Sequence, residues 1–161
     1  MKARELMSSN PACCTPDDQA RDAARMMDNW DCGVIPVVSD KESMRLVGVV
    51  TDRDLAIRAL ARGLGADARV ADLMTAPPQS CHPEDDVEDV ERAMSERQVR
   101  RIPIVDDRGC CVGIVSQADL ARAAERNVGV SDREVARVVE RISEPVQQLG
   151  GMSGGQAEVR L

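Results

Sequence analysis

The sequence has almost no aromatic side chains: Trp30 stands alone, with no Phe and no Tyr among 161 residues. That removes the stacking platforms on which most single-strand nucleic-acid binders rest their bases. A net charge of −7 also argues against sequence-independent binding to phosphate backbones, which needs an excess of Lys and Arg. No apolar run approaches the ~18 residues of a membrane span, and the opening MKARELMSSN lacks a signal peptide's apolar stretch. The expectation is a cytoplasmic chain that meets neither nucleic acid nor membrane. Histidine is nearly absent too: His82 is the only one, and Pro83 follows it directly. There is no H-E-x-x-H, no G-x-x-x-x-G-K-[ST], no G-x-G-x-x-G and no G-x-S-x-G. The chain therefore reads as non-catalytic, with no obligatory cofactor.

No C-x-x-C occurs among the six cysteines. In a cytoplasmic chain such residues serve as small buried hydrophobes more often than as disulfides. Cys13-Cys14 and Cys110-Cys111 are adjacent pairs within extended stretches, where neighbours point to opposite faces, so no cooperative thiol pair is expected.

What is present is a globular composition, 43% hydrophobic and 30% charged, and an internal repeat. Offset by 67 residues, Leu6-Met7 meets Leu73-Met74, Cys14 meets Cys81, Met27 meets Met94 and Ile35-Pro36 meets Ile102-Pro103. Two residues fewer in the loop after Asp40 then align Val47-Gly48 with Val112-Gly113, and Asp54-Leu55-Ala56 with Asp119-Leu120-Ala121.

Each copy reads alike. A leader (Ala3–Met7; Val70–Met74) precedes a short extended piece ending at Thr15 or His82. A helix follows, Asp18–Trp30 with Ala20, Ala23, Ala24 and Met27 on one face, or Asp85–Arg97 with Val87, Val90 and Met94. Two strands come next, Val34–Ser39 with Leu46–Thr51, or Arg101–Asp106 with Cys110–Ser116. A second helix closes each unit, Asp52–Arg62 or Gln117–Arg126. The fold class is α/β (α+β): two tandem β-α-β-β-α units packed about a pseudo-twofold, because one unit alone has too little core. This divides the chain into a first unit at 3–62, a linker and leader at 63–72, and a second unit at 73–126. A capping box, Ser131 to Glu134, opens a further helix at 131–143, and a Gly/Ser/Gln-rich tail at 144–161 reads as flexible. The Val135, Val138, Val139 and Ile142 face of that helix reads as an uncovered dimer surface, or else folds back on its own chain.

Chemistry concentrates where the last strand of each unit meets its closing helix. These junctions are Gly48-Val49-Val50-Thr51-Asp52-Arg53-Asp54 and Gly113-Ile114-Val115-Ser116-Gln117-Ala118-Asp119. A glycine permits close backbone approach, and a hydroxyl at a helix start can serve a phosphate already favoured by free N–H groups. The same spacing is also a capping box, in which Thr51/Asp54 and Ser116/Asp119 only close helix ends.

The twofold pattern Gly-apolar-x-[Thr/Ser]-x-x-Asp, with its Leu-Met leaders and Ile-Pro strands, resembles the cystathionine-β-synthase (CBS) domain pair. That pair is also called a Bateman module, and the likeness is to its small stand-alone bacterial form. The resemblance implies a regulatory module that binds an adenosine-containing ligand, such as AMP, ADP, ATP or an adenosyl compound. It implies Thr51 and Ser116 at phosphate or ribose, Asp54 and Asp119 at ribose, and Gly48 and Gly113 beside the ligand. Arg53 adds charge in the first site and Arg101 in the second, where the first has Val34. A homodimer and a downstream protein partner, unidentified, are expected. Two other readings stand beside this one. One is a dimerisation module with empty clefts; the other is a metal or thiol sensor using Cys14, Cys81 and His82.

Overall fold

A computed structural model describes residues 1–126 and 128–144. In chain order the first repeat carries α1 (Ala3–Leu6), β1 (Ser8–Ser9), α2 (Ala20–Asn29), β2 (Val34–Val38), β3 (Leu46–Thr51) and α3 (Asp52–Asp54). The second carries α4 (Val70–Leu73), α5 (Val87–Arg97), β4 (Arg101–Val105), β5 (Cys111–Ser116) and α6 (Gln117–Glu125), followed by α7 (Asp132–Ser143). Both strand pairs are antiparallel hairpins in matching register, Ile35 against Val50 and Ile102 against Val115. The expected first strand of each unit is a single parallel bridge, Cys14 to Val37 and Cys81 to Ile104. Pro36 and Pro103 have no N–H for such a ladder, but their carbonyls accept from the backbone N–H groups of Cys14 and Cys81, both at 3.1 Å.

Burial follows the helical period: Ala20, Ala23 and Met27 face the first core, and Val87, Val90 and Met94 the second. Ala24 is exposed, so the inward stripe of α2 is narrower than its sequence suggested. The helix expected over Asp52–Arg62 also departs from regularity. After α3 the chain widens into a π-helical stretch, Leu55–Leu60. From this stretch Arg58 donates to the carbonyls of Leu73 (2.6 Å) and Met74 (3.0 Å) at the end of α4.

The leaders change places. α1 lies in the core of the second repeat, with Ala3 fully buried there, and α4 lies in the core of the first, through Val70 and Leu73. Equivalent hydrogen bonds hold them: Ala3 N–H to the Asp85 carbonyl (2.9 Å) and Val70 N–H to the Asp18 carbonyl (2.8 Å). β1 adds to the edge of β5, Ser8 opposite Ile114, while Thr75 bridges Val49 in the matching place. The sequence blocks 3–62 and 73–126 thus differ from the groups of residues that share a core.

This exchange also explains the two junction glycines. A Cβ at Gly48 would stand 2.8 Å from Met74 Sδ and 3.1 Å from the Thr75 carbonyl; one at Gly113 would stand 2.9 Å from Met7 Cγ. They admit the partner repeat's leader at close range. Gly113→Ala should therefore lower unfolding free energy by about 1–3 kcal/mol, the usual range for overpacking, as read by urea denaturation.

The C-terminal helix folds back. Val138 and Ile142 are buried against the second core and Val135 is partly so, leaving only Val139 of the proposed dimer face exposed. α7 packs on α5 and α6 of its own chain, so of the two readings of its apolar face the fold-back is the one the structure has. Its capping box forms as expected, with the Glu134 N–H donating to Ser131 Oγ at 3.3 Å. The tail beyond Glu144 lies outside the described residues. Among those described, no helix is long and apolar enough to cross a membrane.

Where α5 faces α7, burial, with the carboxylates of Glu134 and Glu88, pushes Glu91 up to about 7 against the pull of Arg137. The folded chain thus keeps a proton between about pH 4.5 and 7 that the unfolded chain releases, and stability falls as pH rises through that window. Glu91→Gln should raise stability at pH 8 by up to about 1 kcal/mol, after allowance for solvent screening, and leave it unchanged near pH 4.5. Melting curves at the two pH values read this directly.

Candidate functional site

The two strand-to-helix junctions open onto one cleft of about 1280 Å³ between the repeats. Local geometry builds each side in the same way. Thr51 and Ser116 stand in extended backbone as the N-caps of α3 and α6. The next residues tie back to the preceding hairpin: Asp52 N–H donates to the Gly33 carbonyl (3.1 Å) and Gln117 N–H to the Arg100 carbonyl (2.9 Å). Thr51, Asp52 and Arg53 therefore line one wall, and Ser116, Gln117 and Ala118 the other.

Charge in the cleft opposes that of the chain. Arg53, Arg97, Arg100 and Arg101 line it, against the carboxylates of Asp52 and Glu144, although the whole protein carries −7. Arg101 spans the repeats: its Nη1 stands 3.4 Å from where a Cβ on Gly33 would be, with Asp52 beside it. None of the four forms an ion pair with a described residue. The sequence reading singled out Arg53 and Arg101. It weighed Arg100 beside Arg101 but passed over Arg97 and Asp52 as site residues, although three arginines within Arg97–Arg101 were a visible signal.

At the rim, Gln98 closes α5 in the left-handed conformation, with φ 52°. Its Nε2 donates to the carbonyls of Glu144 (2.9 Å) and Arg141 (3.4 Å). The end of α7 is thereby held at the mouth of the cleft, where Ile142 and Glu144 line it.

The aspartates lie elsewhere. Asp54 Oδ2 accepts from the backbone N–H (3.0 Å) and hydroxyl (2.8 Å) of Thr51, and Asp119 Oδ2 from those of Ser116 (2.8 and 2.6 Å). Their second oxygens pair with Arg58 (3.4 Å) and Arg122 (2.5 Å). Neither lines the large cleft; Asp119 borders a smaller groove with Met1, Leu6 and Ala123. The reciprocal cap is complete in both junctions, with the aspartate N–H returned to the hydroxyl.

The metal-sensor residues do not assemble. Cys14 is buried in the first core and Cys81 in the second, because each is bridged to the hairpin of its own repeat. Burial, with Asp18 nearby, pushes the Cys14 thiol up to about 12; burial, with Asp85 and Asp89, pushes Cys81 up to about 11. His82 is exposed. Among the described residues no three His, Cys, Asp or Glu side chains cluster to hold a metal ion. Trp30, 69% exposed, lies outside the cleft.

This duplicated unit with its paired junctions defines a class. The sequence model described as CBS domain matches residues 3–60 and 70–126, and the chain belongs to that family as a tandem pair. The crystal structure of Hypoxic Response Protein I with two coordinated zinc ions is 32% identical, with TM-score 0.69, covering 76% of this chain and 98% of that one. The CBS domain pair of protein MJ0100, in complex with 5′-methylthioadenosine and S-adenosyl-L-methionine, is 26% identical, with TM-score 0.71 and coverage of 79% and 98%. CBSX2 in complex with AMP is 28% identical, with TM-score 0.67 and coverage of 78% and 97%.

Asp54→Ala and Asp119→Ala each remove a cap acceptor and an ion-pair partner. Each should lower unfolding free energy by about 1–2 kcal/mol in a denaturant titration, with secondary structure retained.

Proposed function

We propose that this chain is a regulatory module that binds one adenosine-containing ligand (AMP, ADP, ATP or an adenosyl compound) per chain in the cleft between its repeats. The observation that carries this reading is the convergence of four arginines and two N-cap hydroxyls on one cleft in an acidic protein. A guanidinium offers a planar fork of donors to phosphate. The adenosine compounds in the MJ0100 pair and in CBSX2 supply the nucleoside part of the argument. Thr51, Ser116, Arg53 and Arg101 are assigned to the ligand. Asp54 and Asp119 hold the two hydroxyls in place and reach a ribose only by releasing Arg58 or Arg122. A ligand touching both walls favours one relative placement of the repeats, and a protein partner that reads this placement supplies the output.

A second reading, that self-association is the function, draws on a different feature. Ile57, Leu60 and Leu64 follow one another along the first repeat and are all exposed, Leu60 by 74%. A run of large apolar side chains in water favours a partner surface, and a twofold homodimer satisfies it. Leu60→Asp should shift such a dimer to monomer in light scattering without changing the fold.

Thermal unfolding against a nucleotide panel separates the two. AMP or ATP at about 100 times its dissociation constant should stabilise the protein by about 2.7 kcal/mol. Arg101→Glu should weaken that ligand at least tenfold, while guanosine and cytidine nucleotides do little. Unchanged melting with every adenosine compound would remove the ligand reading and leave self-association.

A further inference from the structure

Two of the six cysteines come from different repeats and meet outside both main cores. Cys13 precedes α2, and Cys111 opens β5. Each is 5% exposed, and they pack with Val38 in a small buried cluster edged by Met44 and Leu46. This cluster sits on the seam where the hairpins of the two repeats join. There Leu46 N–H donates to the Gly109 carbonyl (2.9 Å) and Cys111 N–H to the Met44 carbonyl (2.8 Å). Within it the two cysteines are neighbours, the Cys13 thiol donating to the Pro11 carbonyl (3.3 Å) and the Cys111 thiol to the Gly113 carbonyl (3.7 Å). Adjacent cysteines do diverge, Cys14 entering the first core as Cys13 turns to the seam. The absence of a pair between adjacent cysteines thus leaves Cys13 and Cys111 to meet across the repeats, where no local pattern could show it.

The surroundings distinguish the two sulfurs. Lys41 Nζ donates to the Cys13 carbonyl at 2.6 Å, which brings a cation to the Cys13 end of the seam. The neighbouring Cys111 thiol and the Lys41 charge hold the Cys13 thiol below its ordinary value in spite of burial. The Cys111 thiol is raised by the neighbouring Cys13 and by burial, so Cys13 is the readier of the two to give up its proton. A thiolate beside a cation is the more readily oxidised member of such a pair, and a neighbouring thiol then resolves it.

We propose that Cys13 and Cys111 form a redox pair, closed by hydrogen peroxide into a disulfide between the repeats and reopened by a dithiol. In the first step the Cys13 sulfur attacks one peroxide oxygen and the O–O bond breaks. Cys13 becomes a sulfenic acid, and the departing oxygen leaves as water with the proton Cys13 has lost. The Cys111 sulfur then attacks the Cys13 sulfur. The S–S bond forms, the S–O bond breaks, and the hydroxyl leaves as a second water with the Cys111 proton. Two electrons pass from the sulfurs to the peroxide. The product fixes the seam from which β5 runs to Ser116.

The test oxidises the full chain with hydrogen peroxide, alkylates the remaining thiols and digests without reductant. The tryptic peptides Glu5–Arg21 and Gly109–Arg122 should emerge linked, with four alkylated thiols per chain instead of six. The Cys14→Ala/Cys110→Ala double variant should still give the link, which assigns it to Cys13 and Cys111. Cys13→Ala and Cys111→Ala should keep all their remaining thiols. Dithiothreitol should restore the wild-type count. Six alkylated thiols after peroxide, a link through other cysteines, a link only between chains, or a link that persists in Cys13→Ala would each overturn the proposal. The readout is independent of nucleotide binding, so its failure leaves the cleft assignment untouched.

Discussion

Two side chains seated on two glycines, Met7 over Gly113 and Met74 over Gly48, hold the molecule together as one unit. A repeat of this length cannot bury enough apolar surface alone. Each repeat borrows a helical turn and an edge contact from the other, so Ala3 completes one core while Val70 and Leu73 complete the other. The exchange makes the repeats interdependent in folding, and it brings the two strand-to-helix junctions to face each other.

The proposed function rests on that opposition. The junction hydroxyls are alike, but the walls around them are not: Arg53 answers to Ala118, and Arg100-Arg101 answer to Gly33-Val34. Because Gly33 leaves room beside Asp52, Arg101 of the second repeat reaches the wall of the first. Divergence of the copies thus yields a single cleft with contributions from both, rather than two equal halves. The end of α7, held by Gln98, borders the same opening and links its shape to the C-terminal helix.

Much of this was legible in the chain. The repeat, the hairpins and the caps at Thr51, Ser116 and Ser131 depend on local spacing, and local spacing is what a sequence displays. The exchange of leaders was not legible, because Leu-Met looks the same whichever repeat it packs against. For the same reason the methionines seated at Gly48 and Gly113 could not be foreseen. The fold-back of α7 depended on whether α5 and α6 left room for Val138 and Ile142, which no pattern records. The thiol contact across the seam likewise joins positions about a hundred residues apart.

Calorimetric titration of the full chain with AMP, at low and at high salt, tests the central claim most directly. The account expects one AMP per chain and an affinity that falls as salt rises, since guanidinium–phosphate attraction at a solvent-open cleft is screened. Binding of two equal AMP molecules insensitive to salt, or no binding of any adenosine compound, would contradict it.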